Sequence, residues 1–177
     1  MAGGVSRPSR AATGRGLLPA LVLALTAAAP AWAADTFDLH HFWDQRCEEC
    51  HGHAGRFAHT FLSVEGDRLV GRHHRDDLMR FLGNHGVPAA RVKPIYDMLL
   101  AQARTAGQFA TTCGGCHDSA AGLVRDSLEM RDGVLHGRET GRPVAEFMKR
   151  HARLKPDEVP FFVDLLVRIE GEVRSPY

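Results

Sequence analysis

Two pentapeptides, Cys47-Glu48-Glu49-Cys50-His51 and Cys113-Gly114-Gly115-Cys116-His117, share the pattern C-x-x-C-H. Two thiols three positions apart can add across the two vinyl groups along one edge of a haem, and the adjacent His then lies beneath the iron as its proximal ligand. Two covalently bound haem c groups are therefore expected. Cys47 and Cys50 would hold the first and Cys113 and Cys116 the second, with His51 and His117 on the irons. The competing reading is a Cys₄ zinc site or a pair of disulfides. Either would leave the doubled His unexplained, and zinc would need the two pairs to meet across a long insert.

The motifs lie 66 positions apart, and sliding the chain by that offset without a gap pairs more than the cysteines. Leu62 falls on Leu128, Leu69-Val70-Gly71-Arg72 on Leu135-His136-Gly137-Arg138, Phe81 on Phe147, Pro94 on Pro160 and Leu99-Leu100 on Leu165-Leu166. Trp43 and Phe109 are the matching aromatics, each four residues before the first Cys. The chain reads as a tandem duplication, with one haem lobe over residues 34–103 and another over residues 104–177. The offset also selects the sixth ligands. His85 falls on His151, whereas no other His outside the motifs has a His partner, and Met79, Met98, Met130 and Met148 fall on Ala145, Asp164, Val64 and Leu82. Ligation by His51 with His85 and by His117 with His151 is the expectation. Arg72 and Arg138, also equivalent, are candidates to pair with haem propionates, against the plainer reading of a duplicated turn with a solvated Arg.

Helices must position these groups. Residues 37–47 and 105–113 read as helices ending at the motifs, 76–84 and 143–150 as helices ending near His85 and His151, and a third helix begins near Pro94 and Pro160. The fold class expected is all-α, as two tandem lobes each wrapped around its haem. Ahead of them, Arg7, Arg10 and Arg15, the uncharged stretch from Leu17 to Ala29, Pro30 and Ala31-Trp32-Ala33 follow the order of a secretory signal cleaved after Ala33. An uncleaved anchor is the competing reading. The whole chain has a formal charge of +1 and 11 His. Loss of the leader removes three Arg and no acid, leaving −2 over residues 34–177. That balance gives no polyanion-binding footprint, so nucleic acid is not an expected partner.

An aromatic-bearing helix before C-x-x-C-H, a distal ligand further on and a closing helix resemble the class I cytochrome c pattern, twice over. The chain departs from it in offering His where that family usually has Met as sixth ligand, and in having Leu39 and Thr105 where a small residue is usual. A tandem bis-His dihaem cytochrome is the nearer likeness. Such a protein would be a periplasmic one-electron carrier, not an enzyme, between other periplasmic or membrane-bound redox proteins, with no small-molecule substrate. A small peroxidase-like haem enzyme, or a redox or gas sensor in which one distal His dissociates, is the alternative.

Overall fold

Asp38 opens the first helix. Its carboxylate accepts the His41 N–H at 2.8 Å and so caps helix α1, Leu39–Arg46. In the computed structural model, the residues described are 1, 3, 4, 36–105, 107–151 and 153–176, so the expected leader lies, apart from residues 1, 3 and 4, outside them. No helix among the described residues is long and apolar enough to cross a membrane. After α1 come α2 (Glu48–His51), α3 (Ala54–Phe61), strands β1 (Leu62–Glu65) and β2 (Arg68–Gly71), α4 (Leu78–Asn84) and α5 (Ala89–Arg104). The second half runs α6 (Gln108–Thr112), α7 (Ala120–Ser127), β3 (Leu128–Arg131), β4 (Val134–Gly137), α8 (Val144–Met148) and α9 (Val159–Val173).

The all-α expectation is wrong: the described residues are 54% helical but 13% strand, in two small antiparallel sheets. Each sheet is a hairpin closed by a two-residue turn. Leu62 pairs with Gly71 and Glu65 with Arg68 around Gly66-Asp67, and Leu128 pairs with Gly137 and Arg131 with Val134 around Asp132-Gly133. Positive φ makes these turns tight: +59° at Gly66 in the first, 48° and 77° at Asp132 and Gly133 in the second. Asp-Gly between apolar residues is a strong hairpin signal, and here the turn chemistry prevails over the surrounding helical pattern. A smaller correction concerns α5. It begins at Ala89, so Pro94 lies inside the helix, whereas Pro160 sits in the first turn of α9 as expected.

The 66-residue offset is visible in the backbone. The helix–hairpin units α3-β1-β2 and α7-β3-β4 begin and end at positions 66 apart, and α4 and α8 also start 66 apart. Their buried residues match in the same register: Ala54 with Ala120, Ala58 with Val124, Leu69 with Leu135, Leu78 with Val144, Leu82 with Met148. One apolar cluster gathers around Trp43, Ile95, Met98 and Leu99, and a second around Val124, Phe162, Leu166 and Ile169. Apolar burial of this kind supplies most of the drive to fold.

The halves are tied to each other. α1 packs against α9, and Phe37 and Ser175 exchange backbone hydrogen bonds of 2.7 and 3.1 Å. Buried His40 meets Glu172 at 2.8 Å, and Arg125 of α7 donates to both oxygens of Asp38 at 2.6 and 3.2 Å. Burial opposes ionisation of Asp38, but the Arg125 hydrogen bond, the His41 N–H and the charges of Arg125 and His40 outweigh it, so this carboxyl titrates below its usual range. A carboxyl depressed on folding contributes stability that is complete above its unfolded pKa of about 3.9 and is lost as pH falls through the lower folded value. Because Asn caps as well as Asp, Asp38→Asn isolates the ion pair. Thermal unfolding should show the variant less stable by about 1–2 kcal/mol at neutral pH, with the deficit closing at a pH below the usual carboxylate range. An equal deficit at both pH values would show that the pair is not its source.

Candidate functional site

The C-x-x-C-H segments are wound as helical turns in both halves. Cys47 N donates to Trp43 O at 2.8 Å, and His51 N to Cys47 O at 2.9 Å. The counterparts are Cys113 N to Phe109 O at 2.7 Å and His117 N to Cys113 O at 3.0 Å. Residues one turn apart share a helix face, so the first Cys and the His point the same way, with Cys50 or Cys116 beside them. All four thiols are free, the first of each motif half-buried and the second exposed. Burial raises the pKa of the Cys47 thiol, against the charge of Arg46, and likewise that of Cys113, which favours the protonated thiol over a metal-binding thiolate. No three His, Cys, Asp or Glu are gathered as a metal site among the described residues, so the four cysteines do not converge as a Cys₄ zinc centre requires.

His85 follows α4 directly, its N–H bonded to Leu82 O at 3.1 Å, and His151 lies three residues beyond the end of α8, its N–H bonded to Met148 O at 3.2 Å. The fold brings each to the His of its own motif. Ring centroids are 5.9 Å apart for His51 and His85, tilted by 59°, and 6.2 Å apart for His117 and His151, tilted by 54°. A metal–imidazole bond is about 2 Å, so two rings bound to opposite sides of one ion have centroids about 6.3 Å apart. The observed separations therefore fit a shared metal ion. Two imidazoles alone leave an iron ion short of ligands, so an iron held between them would need equatorial donors from a group such as a porphyrin. In the second half both His line one cavity of about 270 Å³, walled by Leu123, Leu128, Val144, Met148 and Leu166.

The surroundings of the two pairs differ. His51 is packed by Phe57 edge-on at 4.8 Å and by Trp43 at 6.1 Å, and Trp43 is itself fixed by donating its indole N–H to Gly52 O at 2.9 Å. His85 stacks on Phe81 at 4.7 Å, which stacks in turn on His74 at 3.8 Å. His151 keeps the matching ring, Phe147 at 4.6 Å, but Thr140 replaces His74. This second layer around the pairs was not read from the sequence, although the Phe81 and Phe147 match carried its signal.

The candidate propionate partners are not used alike. Exposed Arg138 donates to the backbone carbonyls of Leu128 at 2.8 Å and Arg125 at 3.2 Å, tying down the end of α7, whereas Arg72 lies 5.9 Å from the Phe61 ring. Gly71 and Gly137 close the chain on itself: a Cβ at Gly71 would lie 3.6 Å from His74, and one at Gly137 would be 2.6 Å from the Thr140 hydroxyl. Arg142, which lines the cavity beside His151, was not singled out from the sequence because its counterpart is Asp76. A separate cavity of about 500 Å³ between the halves is lined by His40, His53 and His59 and contains none of the four paired His.

No known protein family, curated protein or solved structure matches this chain.

The motif interiors differ in how much side chain they admit. A Cβ at Gly114 would collide with the carbonyl of Ala110, to which Gly114 N donates at 3.2 Å, while at Gly115 it would meet nothing within 4 Å. Gly114→Ala should therefore lower stability by about 1–3 kcal/mol and Gly115→Ala by less than about 0.5 kcal/mol, as read by thermal unfolding of the purified chain. Equal effects would mean that the turn around Cys113 is looser than described.

Proposed function

We propose that the chain is an exported dihaem c-type cytochrome that carries single electrons between other redox proteins. The observation that carries this reading is the facing of two His in each half, His51 with His85 and His117 with His151, at the separation one metal ion requires and beside the free thiols of C-x-x-C-H. Cys47, Cys50, Cys113 and Cys116 would make the thioether links, each thiol adding its sulfur and hydrogen across a vinyl double bond, and the four His would be the axial ligands. A haem so held supplies a one-electron ferric/ferrous couple.

The protein's own part is to fix both ligands. The helical turn sets the proximal His, and the Phe81 or Phe147 ring sets the plane of the distal one. With His on both faces there is no vacant position for oxygen, peroxide or carbon monoxide, which favours a carrier over a haem enzyme or gas sensor. His/His ligation without Met also favours a lower potential than His/Met cytochromes have.

Expression with a haem-attachment system should give two covalent haems per chain by mass, a low-spin ferric spectrum and no near-infrared band from Met–iron coordination. Carbon monoxide should leave the reduced wild type unchanged within minutes. His85→Ala and His151→Ala should each convert one haem to a form that binds it. A wild-type protein that binds carbon monoxide, or a His variant with an unchanged spectrum, would overturn the assignment of ligands.

A further inference from the structure

The two halves share a backbone plan but not a charge plan, and the difference is concentrated around the paired His. Glu48 and Glu49 fill the first motif, both exposed in the first turn of α2, and neither carboxylate pairs with a cation among the described residues. The same two positions in the second motif are Gly114 and Gly115. At position 114 the substitution is fixed by the backbone, because any Cβ meets the Ala110 carbonyl. Beside the distal ligand the asymmetry runs the other way. His151 shares an open cleft with Arg142, Lys149 and Arg150, against one acid, Glu146, which Lys149 neutralises at 2.7 Å. The first-half positions matching Arg142, Lys149 and Arg150 are Asp76, Gly83 and Asn84.

From this asymmetry we infer that the two redox centres are unequal, that the first-half centre has the lower potential, and that Glu48 and Glu49 are the residues that set it. The inference rests on the dihaem reading above. A ferric haem carries one more positive charge than a ferrous one, so nearby carboxylates favour the ferric state and lower the potential, and nearby cations raise it. Glu48 and Glu49 lie between the two cysteines that would be bonded to the porphyrin edge, so their charges stay at a fixed short range whatever partner docks. Arg142 and Arg150, which remain once Lys149 and Glu146 cancel, act in the opposite sense on the second centre. One electron would then pass downhill within the chain, a haem held by the first half going from ferrous to ferric as one held by the second goes from ferric to ferrous, with no bond made and no proton moved. Donors would deliver electrons to the first half, and acceptors would take them from the second.

Potentiometric titration of the intact dihaem protein tests this, with the lower and higher potentials followed in three variants at low ionic strength, where exposed charges act furthest. Glu49→Gln should raise the lower potential and leave the higher one nearly in place. Gly115→Glu, which meets no steric barrier, should lower the higher one. Each change should alter the ferric/ferrous ratio at fixed potential by about three- to tenfold, which at 59 mV per tenfold for one electron is about 30–60 mV. Glu49→Asp keeps the charge and should keep the wild-type value, which separates charge from packing. Coincident wild-type potentials, or Glu49→Gln acting on the higher one, would overturn this inference and leave the dihaem assignment standing. A chain carrying no covalent haem would overturn both.

Discussion

One spatial relation organises each half: two imidazoles 34 positions apart in the chain face each other across about 6 Å. The helical turn at Cys47–His51 fixes one ring, and the end of α4 fixes the other. The segment between them has to leave the first site and return to it. It does so as a short helix, a tight hairpin and a second helix, with Leu69 and Leu78 carrying the hairpin and α4 into the same apolar cluster that holds Trp43. The second half solves the same problem with different side chains. Conserving the path while changing the lining is what lets one architecture hold two chemically distinct sites.

Much of this was legible in the residues. The motifs and the 66-position offset point to the four His from the residues alone, because a duplicated site must reuse equivalent positions and only one pair of non-motif His meets that condition. The positions of α4 and α8 followed from apolar spacing to within a few residues. The hairpins were missed for a physical reason. Their strands are four residues long, too short for alternation to outweigh helical neighbours, so the evidence lay only in Gly66-Asp67 and Asp132-Gly133. The start of α5 was displaced because a proline was taken as a helix opener, whereas Pro94 is buried in the interior.

The matching Arg residues show where repeat logic stops. Arg72 and Arg138 occupy equivalent positions, yet one lies over an aromatic ring and the other is spent on backbone carbonyls. Equivalence predicts the path of the main chain well, because it is enforced by turns and burial. It predicts exposed long side chains poorly, since their partners depend on whatever the opposite surface happens to offer. The Asp38–Arg125 pair is such a case: it crosses between the halves, and the position that matches Arg125 is His59, which cannot repeat the pair.

The bridge between Phe37 and Ser175, with α1 lying on α9, has a consequence for how the molecule is made. The first helix finds part of its packing partner only in α9, so the N-terminal half is left with an uncovered flank until α9 has been made. Contacts this distant in sequence close late and slowly. Duplication here did not yield two beads on a string, because each copy lends the other its boundary.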